Sequence, residues 1–158
     1  MKENAFSAQF RGDMVKYCEM THTLFHLQLI PDTYRGGKRP YDCYLHLRTR
    51  FVAIEFKVVK GLSLNSNILS NHQHAKLMEV RGSGGRGVVV VKDDRGKRVI
   101  CIKIQHWNKI FKNETCKKID DVLQCFSTDK MPILIRSKYD CGTIWSMDNF
   151  MTTIVGIR

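Results

Sequence analysis

Three side chains that could hold a metal ion and polarise water lie in two neighbouring stretches of the chain. Asp42 begins one β-rich stretch, and Glu55 and Lys57 lie two residues apart in the next. Because side chains alternate between the faces of a strand, Glu55 and Lys57 are expected on one face and Phe56 on the other. A hairpin that turns near residues 48–50 would place Asp42 beside Glu55. Two carboxylates and an ammonium group on one sheet face could then bind a divalent cation and polarise a water molecule.

Each of these side chains also has an ordinary structural interpretation. Glu55 and Lys57 could form a solvated ladder between neighbouring strands. Asp42 could be a turn residue that follows Pro40. The elements that surround the three residues therefore have to decide between a metal site and a plain β-sheet surface.

The hydrophobic pattern predicts an alternation of helices and strands. Apolar residues spaced three and four apart predict a first helix, and runs of β-branched and aromatic residues predict strands. The valine-rich run at residues 88–92 is typical of a central strand that is covered on both faces. Ser70 or Asn71 could cap the second helix. The predicted helices span residues 3–20, 70–80, 107–111 and 119–126, and the predicted strands span residues 24–30, 41–47, 51–59, 88–92, 98–104 and 131–135.

This order of elements predicts an α/β (α+β) fold in which helices flank a mixed central β-sheet. The segments at residues 61–67 and 81–87 are expected to be turns, the second because it is rich in glycine. The chain of 158 residues is long enough to bury a sizeable core, and no linker divides it. We therefore expect a single domain over residues 1–158.

The composition favours a polyanionic partner. There are 26 Lys and Arg residues against 15 Asp and Glu residues, which gives a formal net charge of +11. Such an excess favours nucleic acid or, less specifically, an anionic membrane surface. No apolar run is long enough for a transmembrane helix, and the N-terminus lacks the apolar core of a signal peptide, so a cytoplasmic protein is expected. The six cysteines include no CxxC pair, which argues against a zinc site.

Taken together, these stretches resemble the PD-(D/E)XK nuclease superfamily, and within it the Holliday junction resolvases of the RecU and archaeal Hjc type. Pro40-Tyr41-Asp42 resembles the acidic entry of that motif, and Glu55-Phe56-Lys57 resembles its E-x-K element. The segment at residues 70–77 resembles the RecU-type helix, in which a glutamine precedes a leucine, and the valines at residues 88–91 resemble the next core strand. The resemblance covers about residues 1–92 and implies a restriction-endonuclease-like core.

The resemblance implies a DNA endonuclease that depends on Mg²⁺, with Mn²⁺ as a substitute. Asp42, Glu55 and the backbone carbonyl of Phe56 would be the metal ligands, a set of oxygens that suits a hard cation. Lys57 would orient the attacking water or help to deprotonate it, and would contact the phosphate. Its role as a base or as an electrostatic stabiliser stays open, because its pKa depends on the groups around it.

Two further site residues are implied by the resemblance. A glutamate of the first helix would join the metal site, with Glu3 the first choice and Glu19, at the other end of the helix, the second. Gln73 would hold the water or a phosphate oxygen. Glu3 and Gln73 could equally be exposed helix residues with no such role.

Basic residues around these motifs are predicted to contact the DNA phosphates, which would position the DNA without reading its sequence. Tyr34, Tyr41 and Trp107 could stack on unpaired bases, or could belong to the core or its rim. The predicted phosphate contacts are Arg35, Lys38, Arg39, Lys60, Arg81 and Arg86.

The function predicted from these features is a structure-selective DNA endonuclease, in particular a Holliday junction resolvase acting on branched or four-way junction DNA. A homodimer is expected, because symmetric cutting of two strands needs two equivalent sites related by a twofold axis. No membrane partner is expected. Two alternatives remain: another nuclease of the same fold, such as a restriction-like or repair enzyme, and a non-catalytic basic protein that binds nucleic acid.

Overall fold

Helices and short strands alternate along the part of the chain that the structure describes. The structure is a computed structural model, which describes residues 2–31, 37–95, 98–127, 147 and 150–156. The predicted strand at residues 131–135 lies outside these residues. The helices are α1 (Glu3–Met20), α2 (Asn71–Gly82), α3 (Ile104–Ile110) and α4 (Ile119–Ser127), with a 3₁₀ turn at Ser66–Ile68 and a π-helical segment at Phe150–Val155. The strands are β1 (His26–Leu29), β2 (Cys43–Leu47), β3 (Arg50–Val59), β4 (Ser63–Asn65), β5 (Arg86–Asp93), β6 (Arg98–Lys103) and β7 (Cys116–Lys118).

Five strands form one mixed sheet in the order β1-β2-β3-β5-β6. Strands β3 and β5 are parallel, and the other neighbours are antiparallel. Helix α2 lies in the crossover between the two parallel strands. The predicted mixed sheet flanked by helices is confirmed. A separate pair, β4 with β7, was not predicted, because strands of three residues carry too little periodicity to be recognised.

One face of the sheet is covered by α1. Its buried residues Phe6, Phe10, Met14 and Cys18 recur every four positions, so they form one stripe along the helix. Phe6 and Phe10 make edge-to-face contacts with Phe56 of β3, at ring-centroid distances of 5.7 and 5.5 Å. Such packing is typical of aromatic cores and fixes the helix against the middle of the sheet.

The opposite face is covered by α2 and α3 over β3, β5 and β6. Val88 and Val90 of β5 belong to the α1 side of the core, whereas Val89 and Val91 belong to the α2 side. The prediction of a central strand covered on both faces is therefore confirmed. Gly87 permits a close approach of α2, because a Cβ atom at that position would lie 2.5 Å from the carbonyl oxygen of Leu77.

Two local predictions need correction. The strand expected at residues 98–104 ends at Lys103, and the next helix begins at Ile104 rather than at Trp107. The strand expected at residues 88–92 extends to Asp93, which is its buried last residue. In both cases the observed element includes residues that were predicted to lie outside it. Within the described residues, no helix is both long and apolar enough to cross a membrane.

Candidate functional site

The β2–β3 hairpin brings the two predicted carboxylates together. Its turn lies at Arg48 and Thr49, and its register pairs Leu47 with Arg50 and Cys43 with Ile54. One step further along this register, Asp42 lies opposite Glu55, and the backbone N–H of Asp42 donates to the carbonyl of Ile54 at 3.1 Å. The hairpin and the proximity of the carboxylates are as the sequence predicted.

Both oxygens of the Asp42 carboxylate are engaged. Oδ2 accepts a 2.7 Å hydrogen bond from the backbone N–H of Phe56, and Oδ1 forms an ion pair with the guanidinium of Arg39. Asp42 is 5% exposed, so it is not the solvated turn residue of the alternative interpretation. Because the Phe56 ring is buried in the core, the backbone that holds Asp42 is itself held by aromatic packing.

The Glu55 carboxylate is only 1% exposed and is incompletely satisfied. Its Oε1 receives the ammonium of Lys57 at 2.8 Å and a short hydrogen bond from Nε2 of Gln73. Its Oε2 is buried and has no hydrogen-bond partner among the described residues. A buried carboxylate oxygen with no donor is costly, so its presence calls for an explanation.

Helix capping determines the position of Gln73. Ser70 caps α2 by accepting from the Gln73 N–H at 3.2 Å, and Oε1 of Gln73 accepts from the Ser70 N–H at 3.1 Å. This capping box fixes the side-chain amide, whose Nε2 then points to Glu55. The glutamine interpreted from the sequence as a site residue or a plain surface residue does contact the carboxylate pair.

Burial, which is the largest cause, and the charge of Asp42 together raise the pKa of Glu55 to about 7, while Lys57 and Arg39 act in the opposite direction. Desolvation is the largest cause because the charged form loses its water and regains too few donors. The pocket therefore disfavours a second negative charge beside Asp42, and an added cation would relieve this penalty.

Glu3 lies at the margin of the same site. Burial raises its pKa, the Lys57 ammonium lowers it, and the backbone N–H of Val58 donates to its carboxylate. Glu3, Arg39 and Asp42 line a small pocket of about 180 Å³. Glu19 is exposed at the other end of α1, about 24 Å away along the helix axis. Of the two candidate glutamates, the structure places only Glu3 near the carboxylate pair.

The donor set fits a hard divalent cation. No group of three or more His, Cys, Asp and Glu side chains suited to a metal occurs within the described residues, so Glu3 does not complete a three-carboxylate site with Asp42 and Glu55 as the resemblance implied. Mg²⁺ commonly uses one or two carboxylates and keeps several waters. The Phe56 N–H points to Asp42, and the Phe56 carbonyl points to the same side of β3. This position of β3 lies beyond the first residue of β2. Asp42, the free oxygen of Glu55 and the Phe56 carbonyl could therefore hold the ion.

The predicted phosphate contacts do not form one surface. Lys38, Arg39 and Lys60 lie toward the carboxylate end of the hairpin, whereas Arg86 lies three register positions from Glu55 at the other end of the sheet. Arg86 donates to the carbonyl of Ile154 at 2.6 Å. Arg81 is exposed in the last turn of α2, far from the turn that carries Gln73, and Arg35 lies outside the described residues.

Trp107 and Tyr41 belong to the core and its rim, which is one of the two alternatives that the sequence left open for them. Trp107 is 3% exposed and belongs to the core, which excludes stacking on a base in this conformation. Tyr34 lies outside the described residues, and Tyr41 is half-buried beside the site. The sequence interpretation missed Tyr44 and Phe51, whose rings stack at 5.1 Å on the sheet face of the carboxylates. Strand alternation from Asp42 to Tyr44 was the available signal.

The comparisons with known proteins give only structural likenesses, and these are distant. No protein-family model matches the chain, and no curated protein matches its sequence. Among solved structures, the chain is similar to Archaeoglobus fulgidus Hjc, a Holliday junction resolvase from an archaeal hyperthermophile. The two share 19% identity, the match covers 72% of this chain and 88% of that one, and the TM-score is 0.46.

Proposed function

We propose that the protein is a metal-dependent nuclease whose centre is the Asp42–Glu55 pair. The observation that carries this proposal is the buried Oε2 atom of Glu55, which has no hydrogen-bond partner in the described residues and lies beside a second carboxylate. A divalent cation would complete the environment of this buried oxygen atom. The solvated-ladder alternative is incompatible with an exposure of 1%.

The residues around the pair have roles that fit phosphodiester hydrolysis. A bound Mg²⁺ or Mn²⁺ would supply Lewis acidity and a water of lowered pKa. Gln73 and Lys57 both contact Oε1 of Glu55, so they orient this carboxylate and leave Oε2 for a ligand. The Lys57 ammonium would also stabilise negative charge on the phosphate, as a positioned cation does in many such sites. The Glu3 carboxylate lies near Lys57, so its negative charge would partly offset the positive charge of the Lys57 ammonium.

DNA is the proposed substrate, and branched or four-way junction DNA is the proposed structure. The net charge of +11 and the basic residues near the carboxylate end, Lys38, Arg39 and Lys60, favour a phosphate backbone. We further propose a homodimer, since a junction resolvase has to cut two strands at equivalent positions. A cytoplasmic location fits such a substrate.

A cleavage assay tests the proposal. Four-way junction, flap and linear duplex DNA are incubated with the protein and either Mg²⁺ or Mn²⁺. Asp42→Asn and Glu55→Gln are each expected to lose more than about 100-fold in rate, because even outer-sphere changes at metal sites commonly cost 10- to 100-fold. Binding of the same DNA should persist. Preferred cutting of the junction would support the resolvase, and preferred cutting of another DNA would support a restriction-like or repair nuclease.

Asp93→Asn is the matched control. Like Glu55, Asp93 is a buried carboxylate of the sheet, but it pairs with Arg98. Its rate per folded molecule should be unchanged. If the wild-type protein cuts none of these DNAs with either cation, the nuclease proposal is wrong, and the alternative of a non-catalytic nucleic-acid-binding protein takes its place.

A further inference from the structure

A row of four aromatic side chains lies on the same sheet face as the carboxylate pair. His26 of β1 pairs with His46 of β2, and His46 pairs with Phe51 of β3. Tyr44 lies two residues from Asp42 on the same side of the strand, about 7 Å away. Ring centroids are 5.9 Å apart for His26 and Tyr44, 5.1 Å for Tyr44 and Phe51, and 6.3 Å for His46 and Phe51.

This aromatic row is open to solvent. His26, Gln28 and His46 are exposed, and Tyr44 and Phe51 are half-buried. In the described part of the chain, α2 and α3 pack over β3, β5 and β6, so this face of β1 and β2 extends beyond the covered part of the sheet. Stacked rings with exposed edges and faces on a rigid sheet form a platform on which planar groups could stack.

Two adjoining pockets form a groove between Phe51 of the aromatic row and the basic residues beside α2. One pocket of about 400 Å³ lies between α2 and the chain before β2 and is lined by Lys38, Tyr41, His72 and Lys76. A second pocket, of about 310 Å³, is lined by Phe51 and shares Val80 and Glu79 with the first. Among the described residues, Glu79 is the one carboxylate that lines either pocket, and it forms an exposed ion pair with Lys76 at 3.0 Å, a kind of pair that contributes little energy.

We propose that this face binds an unpaired segment of the nucleic acid substrate, with bases stacked on Tyr44 and Phe51 and phosphates held by Lys38 and Lys76. The inference rests on the proposed function, which names nucleic acid as the partner, and it deepens that function by adding a single-stranded requirement next to the cut. Rings that accept any base, beside cations that follow a backbone, are the combination used to bind single strands without sequence preference.

A second copy of this chain is the competing occupant of the face. The chain carries a formal net charge of +11 and Lys38 lines the groove, so contact between two copies at this face would bring like charges together. The charge of the groove therefore favours a polyanion over self-association. The nearby carboxylate pair strengthens this choice, because an unpaired strand on the rings would lead directly into the site.

Binding without metal tests the inference separately from cleavage. The affinity of a fluorescein-labelled oligothymidine of about 15 nucleotides and of a blunt duplex is measured in EDTA by fluorescence anisotropy. Tyr44→Leu removes a ring face but keeps apolar volume, and should weaken oligothymidine binding about tenfold, within the range for one stacked base. Duplex affinity should change by less than about twofold. Phe111→Leu, a half-buried ring beside Trp107, is the control and should change neither affinity.

Two further measurements keep the test decisive. Lys38→Ala should reduce the slope of log affinity against log salt for oligothymidine by about 0.7, the value for one phosphate of a single strand. Sedimentation of wild type and Tyr44→Leu at matched concentration shows whether a second copy of the chain occupies the face. Equal loss of single-strand and duplex affinity, or no loss of either, would overturn the inference, and so would conversion of a wild-type dimer to a monomer by Tyr44→Leu.

The outcomes for the two proposals are distinguishable. If oligothymidine binds through Tyr44 but no DNA is cut with Mg²⁺ or Mn²⁺, the nuclease proposal fails and the single-strand platform stands. If DNA is cut but Tyr44→Leu binds oligothymidine like wild type, the nuclease stands and the platform fails.

Discussion

Two buried carboxylates on neighbouring strands of the sheet behave in opposite ways. Glu55 on β3 is 1% exposed and Asp93 on the parallel strand β5 is 2% exposed. Asp93 accepts hydrogen bonds from Nε and Nη2 of Arg98 at 2.9 and 2.8 Å. Glu55 shares its environment with Asp42, has one oxygen with no described partner and has a raised pKa. Burial alone thus does not distinguish the structural carboxylate of Asp93 from the proposed metal ligand Glu55.

The difference lies in how the chain supplies the counter-charge. Asp93 and Arg98 are direct register partners in the β5–β6 hairpin, so a short turn provides a guanidinium that fits the carboxylate. At Glu55 the chain supplies three carboxylates and two basic side chains. The carboxylates are Glu55 itself, Asp42 and Glu3, and the basic side chains are Lys57 and Arg39. The Asp93–Arg98 ion pair stabilises the fold, whereas the excess of negative charge around Glu55 would favour binding of the proposed cation.

The largest expected effect is on the Asp93–Arg98 ion pair. Asp93→Asn should lower the free energy of unfolding by about 3 kcal/mol, because the buried side chain loses two hydrogen bonds between charged groups, although Arg98 keeps its ion pair with Asp120. Chemical denaturation at pH 7 measures it. Glu79→Gln, which breaks the exposed pair with Lys76, is the control and should change the free energy by less than about 0.5 kcal/mol. Similar losses for the two variants would show that Asp93 is not held as described.

Glu55→Gln should have the opposite sign. The folded-state pKa of Glu55 is about 7 against an ordinary value of 4.5. The folded state therefore holds the proton of Glu55 more tightly. The contribution of Glu55 to stability is greatest below pH 4.5, falls as the pH rises to about 7, and is constant above it. The shift corresponds to about 3 kcal/mol. In the absence of metal at pH 8, Glu55→Gln should be more stable than wild type by up to this amount.

Unfolding measured between pH 5 and 8 checks this sign, with the wild-type and Glu55→Gln curves converging at the acid end. An Asp93→Asn variant should keep the pH slope that comes from Glu55. A wild-type curve parallel to that of Glu55→Gln throughout this range would show that the carboxylate is not destabilised by burial.

Divalent cations should restore what Glu55 loses. A ligand that binds only the folded state stabilises it by about 2.7 kcal/mol at a concentration 100 times its dissociation constant. Thermal unfolding with Mg²⁺ or Mn²⁺ at pH 8 should show this stabilisation in wild type and Asp93→Asn. Asp42→Asn and Glu55→Gln should show little of it. Equal stabilisation of all four proteins would place the cation elsewhere.

The smallest expected effect concerns Arg39, whose guanidinium occupies Oδ1 of Asp42. Because this ion pair competes with a cation for the carboxylate, Arg39→Gln should tighten Mn²⁺ binding by up to about fivefold, the range of a partly exposed pair. Titration calorimetry measures it. Lys38→Gln, an exposed neighbour, removes the same charge without the contact. If both variants change the affinity equally, the effect is one of general charge.

Local patterns in the sequence predicted much of the fold. The four-residue spacing of apolar side chains along α1 determined which face it buries, and alternation along β3 separated Glu55 and Lys57 from Phe56. The hairpin needed only a two-residue turn between patterned runs to place Asp42 opposite Glu55. These features could be predicted because each depends on residues that are close in the chain. Element ends were less certain, as at Asp93 and Ile104.

Only the tertiary structure decided how the carboxylates are completed. Gln73 reaches Glu55 because β3 and β5 pair in parallel and Gly87 lets α2 pack closely. Glu3 reaches the site, and Glu19 does not, because Phe6 and Phe10 fix the direction of α1 against Phe56.

These distant contacts carry no periodic signal. The sequence by itself therefore determined which residues could do chemistry and on which strand face they lie. The packing of distant elements decided that Glu55 would be buried with an oxygen free, because burial and counter-charge depend on the whole fold.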